Sequence, residues 1–256
     1  MAQILNTKYV YDTDQTFKNT DLSLDRLVPS FPAHSHARAV RAVRVARAAQ
    51  ERAALMWVVK ISGSLNRDPL LPLWLQLMAQ LGGGRVTIVC GGGSFAEEAR
   101  HAHTHWRFDN SLHAHNMALL ALAQAGCLAL CLEPKLHLAD SEASVRKILR
   151  AGHAAVWLPL ESLRDQVDAE TGRGVSSDRI ALDLAGRLNA EHLILIKSGV
   201  IDPTASVADL SRAGVVHRCF ESTTKRVGFP ISIVHSSDLA RMRSLLHGDV
   251  EPTTAT

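Results

Sequence analysis

From Trp57 onward, short apolar runs rich in β-branched residues alternate with stretches of helical length, and this alternation limits the fold more than any other feature. The runs are "WVVKI" (57–61), "RVTIVC" (85–90), "CLALCLE" (127–133), "AAVWLPL" (154–160), "HLILIKS" (192–198) and "PISIVH" (230–235). Their length and composition suit buried strands. The intervening segments are "PLLPLWLQLMAQL" (69–81), "SFAEEARHAHTHW" (94–106), "SLHAHNMALLALAQAG" (111–126), "SEASVRKILRAG" (141–152), "SSDRIALDLAGRLNA" (176–190) and "SVADLSRAG" (206–214), all of which read as helices. Ser94 with Glu97 three residues on reads as a capping box, Ser141 as a second cap, and Gly82–Gly84 and Gly126 as stops. Buried strands separated by helices imply a mostly parallel central sheet covered on both faces, a three-layer α/β/α sandwich.

Composition is consistent with this and narrows the function. With 46% hydrophobic and 21% charged residues, the chain carries one substantial core. A net charge of +3 indicates neither a nucleic-acid nor a membrane partner. No uninterrupted apolar run approaches the roughly 18 residues of a membrane helix, and the first thirty residues lack the apolar core of a signal peptide. The expected location is the cytoplasm. Cys90, Cys127 and Cys131 sit in apolar runs, as buried free thiols do, and with Cys219 they are too few for a disulfide framework.

Residues 1–55 differ from the rest. They show no lasting period until "RAVRAVRVARAAQERAAL", where Arg38, Arg41, Arg44 and Arg47 recur three apart on a predicted basic helix. Met56 directly precedes the alternating pattern. The expected organisation is an N-terminal extension, either a basic arm or sequence ahead of a true start at Met56, followed by a domain over 56–256.

Ligands of open α/β sheets bind where strands end and helices begin. Two small-residue turns fall at such points: Lys60-x-Ser62-Gly63-Ser64 after the first strand, and Gly91-Gly92-Gly93 after the second. Successive glycines let a backbone approach a ligand and open its N–H groups to an anion. Neither turn matches GxxxxGK[ST] or GxGxxG, so this is not an ordinary P-loop or dinucleotide site. A third segment places Ser176, Ser177 and Asp178 at a helix start and Lys197 at the end of the strand that follows. Asp178 reads either as a cap or as a functional carboxylate. Two strand-end lysines and a carboxylate suit phosphoryl transfer, which needs cations on the transferring group.

Taken together, Lys60-x-x-Gly63-Ser64, Gly91–Gly93 and Ser177–Asp178 resemble the amino acid kinase superfamily, with a carbamate kinase-like fold. Within it, "GGGSFAEEARHAHTHWRFDNSLHAHNMALLALAQAG" and "SSDRIALDLAGRLNAEHLILIKS" look most like the kinases of methanofuran and methylofuran biosynthesis. Those enzymes convert an aminomethylfuran-methyl phosphate to its diphosphate with ATP and magnesium. The resemblance spans about Met56 to His235. It implies that Lys60 stabilises charge on the transferred group, and that Ser62, Gly63, Ser64, Gly91, Gly92, Gly93 and Ser177 surround the phosphates. It further implies that Asp178 orients Lys60 and is a candidate to bind magnesium through water, that Lys197 lies near the nucleotide, and that Asp109 and His115 meet the acceptor. Magnesium would arrive on ATP, with no metal held by the protein itself. The partner would be a small phosphorylated molecule, and homo-oligomers are usual in the superfamily. Uridylate, isopentenyl phosphate and acetylglutamate kinases are alternatives of the same kind, and a non-catalytic nucleotide- or oxyanion-binding protein is an alternative of another.

Two departures stand out. Ser62 replaces the first glycine of the usual Lys-x-Gly-Gly-Ser, which requires a negative φ there. The late lysine that follows a Gly-Met segment in many members is missing, so Lys197 or Lys225 must serve. His101, His103 and His105 alternate along a predicted helix and so cannot face one ion, and His113 and His115 share that problem.

Overall fold

The computed structural model describes residues 56–107, 111–166, 175–199, 207–216, 220 and 227–247. Among these, six parallel strands form one sheet in the order β3-β4-β2-β1-β5-β6. They are β1 (Trp57–Ile61), β2 (Val86–Cys90), β3 (His137–Ala139), β4 (Ala155–Trp157), β5 (His192–Lys197) and β6 (Ile231–His235). The helices are α1 (Leu71–Leu81), α2 (Gly93–Trp106), α3 (Ser111–Leu132), α4 (Glu142–Arg150), α5 (Ser177–Leu188), α6 (Val207–Arg212) and α7 (Leu239–His247). A 3-10 turn covers Gly63–Arg67 and one helical turn Leu160–Leu163. The expected parallel sheet with flanking helices is the fold observed.

Alternation along the strands sorts the core into two layers. Trp57, Val59 and Ile61 of β1 point to the side of α1 and α7, and Ile194 and Ile196 of β5 join them. Val58 of β1, with Leu193 and Leu195 of β5, points to the side of α4 and α5. The same period of two sends Lys60 and Lys197 to the α5 side. β1 lies between β2 and β5, so the connections leaving β1 and β5 diverge at their carboxyl ends and open a crevice there.

Three expectations are corrected. "CLALCLE" is not a strand: α3 runs through it to Leu132. Gly126 does not stop the helix because a mid-helix glycine costs only about 1 kcal/mol, and here its missing side chain lets Leu158 pack against the backbone, a Cβ falling 2.2 Å from Leu158 Cδ2. The strand in that place is the short β3, whose His137 and Leu138 are exposed. Continuation of the helix also turns Cys127 and Cys131 outward, whereas Cys90 is buried as expected. Ser94 does not cap α2, whose N-cap is Gly92 with no side-chain cap. By contrast, Ser141 caps α4 in a capping box completed by Ser144.

The merged helix also changes the membrane argument. Leu112–Leu132 is long and apolar enough to cross a membrane by length and composition. It packs instead on the sheet through Leu119, Leu122, Ala125 and Ala129, all nearly inaccessible to solvent.

Candidate active site

Lys60, Asp178 and Lys197 meet beneath the crevice. Lys60 Nζ lies 2.7 Å from Asp178 Oδ1, and Lys197 Nζ donates to Asp178 Oδ2 at 2.7 Å. All three side chains are buried, with relative exposures of 4%, 8% and 9% for Lys60, Asp178 and Lys197. The helix start explains how Asp178 is available. Ser176 takes the N-cap position and accepts from the Arg179 N–H at 3.4 Å, so the Asp178 carboxylate, two residues on in the first turn, can reach the lysines. The capping role for Asp178 therefore belongs to Ser176.

The electrostatics follow from burial and proximity. Desolvation alone would raise the Asp178 carboxyl, but the ammonium groups of Lys60 and Lys197 and their hydrogen bonds outweigh it and hold the group at about 2. Desolvation, reinforced by the Lys60 charge, lowers Lys197 to about 8 despite the pull of Asp178. Two cations and one anion leave one unit of positive charge in excess, and both ammonium groups are oriented by the carboxylate between them.

The two glycine-rich turns touch each other. A Cβ on Gly63 would lie 2.2 Å from Gly93 N, and one on Gly93 would lie 2.1 Å from Gly63 O. Gly93 also has φ +52°. These positions are thus confined to glycine by backbone packing on backbone. Asn66, which gave no sequence signal, joins the turns by donating Nδ2 to the carbonyls of Gly91 (3.2 Å) and Gly92 (3.1 Å). Ser62 has φ −61°, an ordinary extended conformation, so serine replaces the usual glycine there without backbone strain.

A cleft of about 800 Å³ opens over this cluster. Ser62, Ser177, Asp178, Lys197 and Ser198 supply its polar lining, and Val175, Val215 and Val216 an apolar wall. That volume is within the usual range for a small-molecule site. Ser64 lies just outside the lining and bonds to Ser62 (3.0 Å) and Ser198 (2.6 Å). Ser198 was not singled out in the sequence, although it directly follows Lys197 at a strand end.

The acceptor residues are placed differently. His115 is half-buried near the start of α3, and its Nε2 bonds to the Leu163 carbonyl at 3.0 Å rather than lining the cleft. Asp109 and Lys225 lie outside the described residues. His101, His103 and His105 are exposed along α2. Among the described residues no group of three His, Cys, Asp or Glu could hold a metal ion.

Buried, carboxylate-oriented ammonium groups at the switch point of a parallel α/β sheet are chemically suited to an anion. Residues 56–202 match the amino acid kinase family, and the chain belongs to that family. Among solved structures, it resembles the UMP kinase of Bacillus anthracis (TM-score 0.58, 16% identity, covering 75% of this chain and 92% of that one). It also resembles the uridylate kinase of Archaeoglobus fulgidus (0.55, 12%, 76% and 96%) and an isopentenyl phosphate kinase (0.52, 14%, 78% and 98%). At these identities the likeness shows the shared fold. No curated protein sequence matches the chain.

Proposed function

We propose that the domain beginning at Met56 is an ATP-dependent phosphotransferase whose small-molecule acceptor already carries a phosphate, and that the acceptor is [5-(aminomethyl)furan-3-yl]methyl phosphate, converted to its diphosphate. The observation that carries this reading is the Asp178 carboxylate held 2.7 Å from each of two buried lysines, Lys60 and Lys197. Family membership supports phosphoryl transfer. Two neighbours whose names specify phosphate-bearing acceptors, the UMP and isopentenyl phosphate kinases, support a phosphate as nucleophile. The particular furan acceptor rests on the resemblance of the segments around 91–126 and 176–198.

An oxygen of the acceptor phosphate attacks the γ-phosphorus of ATP. The bond from that phosphorus to the β,γ-bridging oxygen breaks, and ADP departs with the electron pair. The protein has little covalent work to do in such a transfer, so its part is positioning and charge stabilisation. Lys60 and Lys197 offset charge on the phosphoryl oxygens. Asp178 keeps the two ammonium groups from repelling each other out of place, and the glycine turns allow close backbone approach. The cleft fits a nucleotide: it is large enough, is apolar on one side and is cationic at its base. Asp178 is committed to both lysines, which suits magnesium bound to the ATP phosphates rather than to a site of the protein's own.

The test is ADP release with Mg-ATP and the aminomethylfuran phosphate, in wild type and Lys60→Ala. Turnover that needs the acceptor and drops at least about a hundredfold in the variant is expected. Turnover with UMP or isopentenyl phosphate instead would move the acceptor and keep the reaction. Nucleotide binding without turnover on any of them would overturn the reaction and leave a binding protein.

A further inference from the structure

Three serine hydroxyls form a directed chain at the mouth of the cleft, and this chain makes Ser62 more than a tolerated substitution. Ser64 Oγ donates to Ser62 Oγ at 3.0 Å. Ser64 has one hydroxyl proton, so in its 2.6 Å contact with Ser198 Oγ it must accept, and Ser198 donates. The direction is therefore Ser198 to Ser64 to Ser62, and the unspent proton is that of Ser62. Ser62 and Ser198 both line the cleft with Lys197 and Asp178. The backbone fixes both ends of the chain: Ser62 N–H donates to the Ile196 carbonyl at 3.0 Å, and Ser198 follows the last residue of β5. The hydroxyl that terminates the chain is thus presented beside the lysine-flanked end of the sheet.

Resting on the kinase reading above, we infer that Ser62 donates a hydrogen bond from its hydroxyl to an oxygen of the transferred phosphoryl group, and that Ser64 and Ser198 are positioning residues that orient and polarise it. Each hydroxyl in such a chain becomes a better donor when it accepts from the one behind it. A glycine at 62 would offer only its N–H, which is already spent on Ile196. The serine adds a side-chain donor where the usual loop has none, and its φ of −61° means that the addition requires no strain. A site with one excess positive charge gains from a neutral donor that strengthens binding to a phosphoryl oxygen without adding a third cation to the buried cluster.

The experiment uses two probes that differ at the third phosphate. Dissociation constants for AMP-PNP and for ADP, each with magnesium, are measured for the full-length wild type, Ser62→Gly, Ser198→Ala and Ser198→Thr. Ser62→Gly should lose about tenfold for AMP-PNP, the cost of one hydrogen bond to a charged group, and keep its affinity for ADP. Ser198→Ala should show the same selectivity with a smaller loss, and Ser198→Thr, which keeps the hydroxyl, should restore the wild-type ratio. Equal losses for both nucleotides, or none for either, would overturn the role of the chain while leaving the kinase reading intact. A wild type that binds neither nucleotide would overturn both.

Discussion

The carboxyl ends of β1 and β5 and the α2–α3 pair are held in place by different means. At the carboxyl ends of β1 and β5, each charged side chain of the cluster comes from a fully buried strand or the first turn of a packed helix, and its partner is a charge. The α2–α3 side is open by comparison. α2 buries none of its residues, Trp106 at its end is 69% exposed, and the start of α3 is tied down by a few hydrogen bonds. They include His115 to the Leu163 carbonyl, Asn116 Nδ2 to Asp165 Oδ1 at 2.8 Å and the Asp165 N–H to Asn116 Oδ1 at 3.3 Å. One region is fixed by desolvated charges; the other is held at the surface. The first suits the phosphoryl chemistry proposed above, and the second is where the proposed choice of acceptor is to be tested.

Removing Asp178 should break this comparison most severely. Asp178→Ala leaves two buried ammonium groups facing each other without compensation. A loss of about 3–5 kcal/mol in denaturant unfolding is expected, together with about a thousandfold or greater loss of turnover. Unchanged unfolding would mean that the pair is more hydrated than its burial implies. Gly93→Ala comes next. Its φ of +52° and a Cβ only 2.1 Å from the Gly63 carbonyl should cost about 1–3 kcal/mol and drive the two turns apart. The same substitution at Gly186, where a Cβ meets nothing within 4 Å, is the control and should cost nothing.

A pH series tests the charged cluster without mutation. Lys197 has its folded pKa lowered from 10.5 to about 8, so its ammonium is present below that pH and lost above it. Turnover should fall about tenfold per unit as pH rises beyond about 8, measured at saturating ATP. The folded chain then holds fewer protons than the unfolded chain between about 8 and 10.5, so this group makes stability rise with pH across that window. Asp178 has its pKa lowered from 3.8 to about 2. Its contribution to stability is present above about 4 and is lost as pH falls through about 2. A flat alkaline limb in turnover would remove Lys197 from the chemistry.

The same contrast explains what could be read from the chain beforehand. The strand-end lysines were legible because a charge closing an apolar strand is anomalous, and an anomaly in a buried element points to a partner. That the two share one face follows only from the register of β1 against β5. The α3 helix is not legible from composition because "CLALCLE" resembles an apolar strand and follows a glycine, whereas its packing on the sheet is a tertiary contact. Asn66 and Ser198 left no signal, since each acts through a contact between segments far apart in sequence. The ends of α2 and α3 gave residue types without a partner to test them against, and His115 turns out to hold the Leu163 turn.

Asn116→Ala should cost about 1 kcal/mol, since it removes both hydrogen bonds of an exposed pair, Asn116 Nδ2 to Asp165 Oδ1 and Asp165 N–H to Asn116 Oδ1. If the α2–α3 side selects the acceptor, this variant should raise KM for the acceptor and leave that for ATP alone.

The smallest effect should come from the outer face of α3. Cys127 and Cys131 are exposed one turn apart, whereas Cys90 is buried at the end of β2 with its thiol pushed up to about 12 by desolvation, a shift the Lys60 charge only partly offsets. The thiolate is the reactive form, so exposure and acidity act in the same direction. Treatment with iodoacetamide at pH 8, followed by peptide mapping, should find Cys127 and Cys131 modified and Cys90 intact, with turnover unchanged. Labelling at Cys90 under native conditions would mean that the β2 end opens to solvent, and the rigid half of the molecule would then be no more closed than the other. Protection of Cys127 and Cys131 in the native protein would instead mean that this face of α3 is covered in solution, and the contrast between a closed edge and an open flank would shift to the assembled protein.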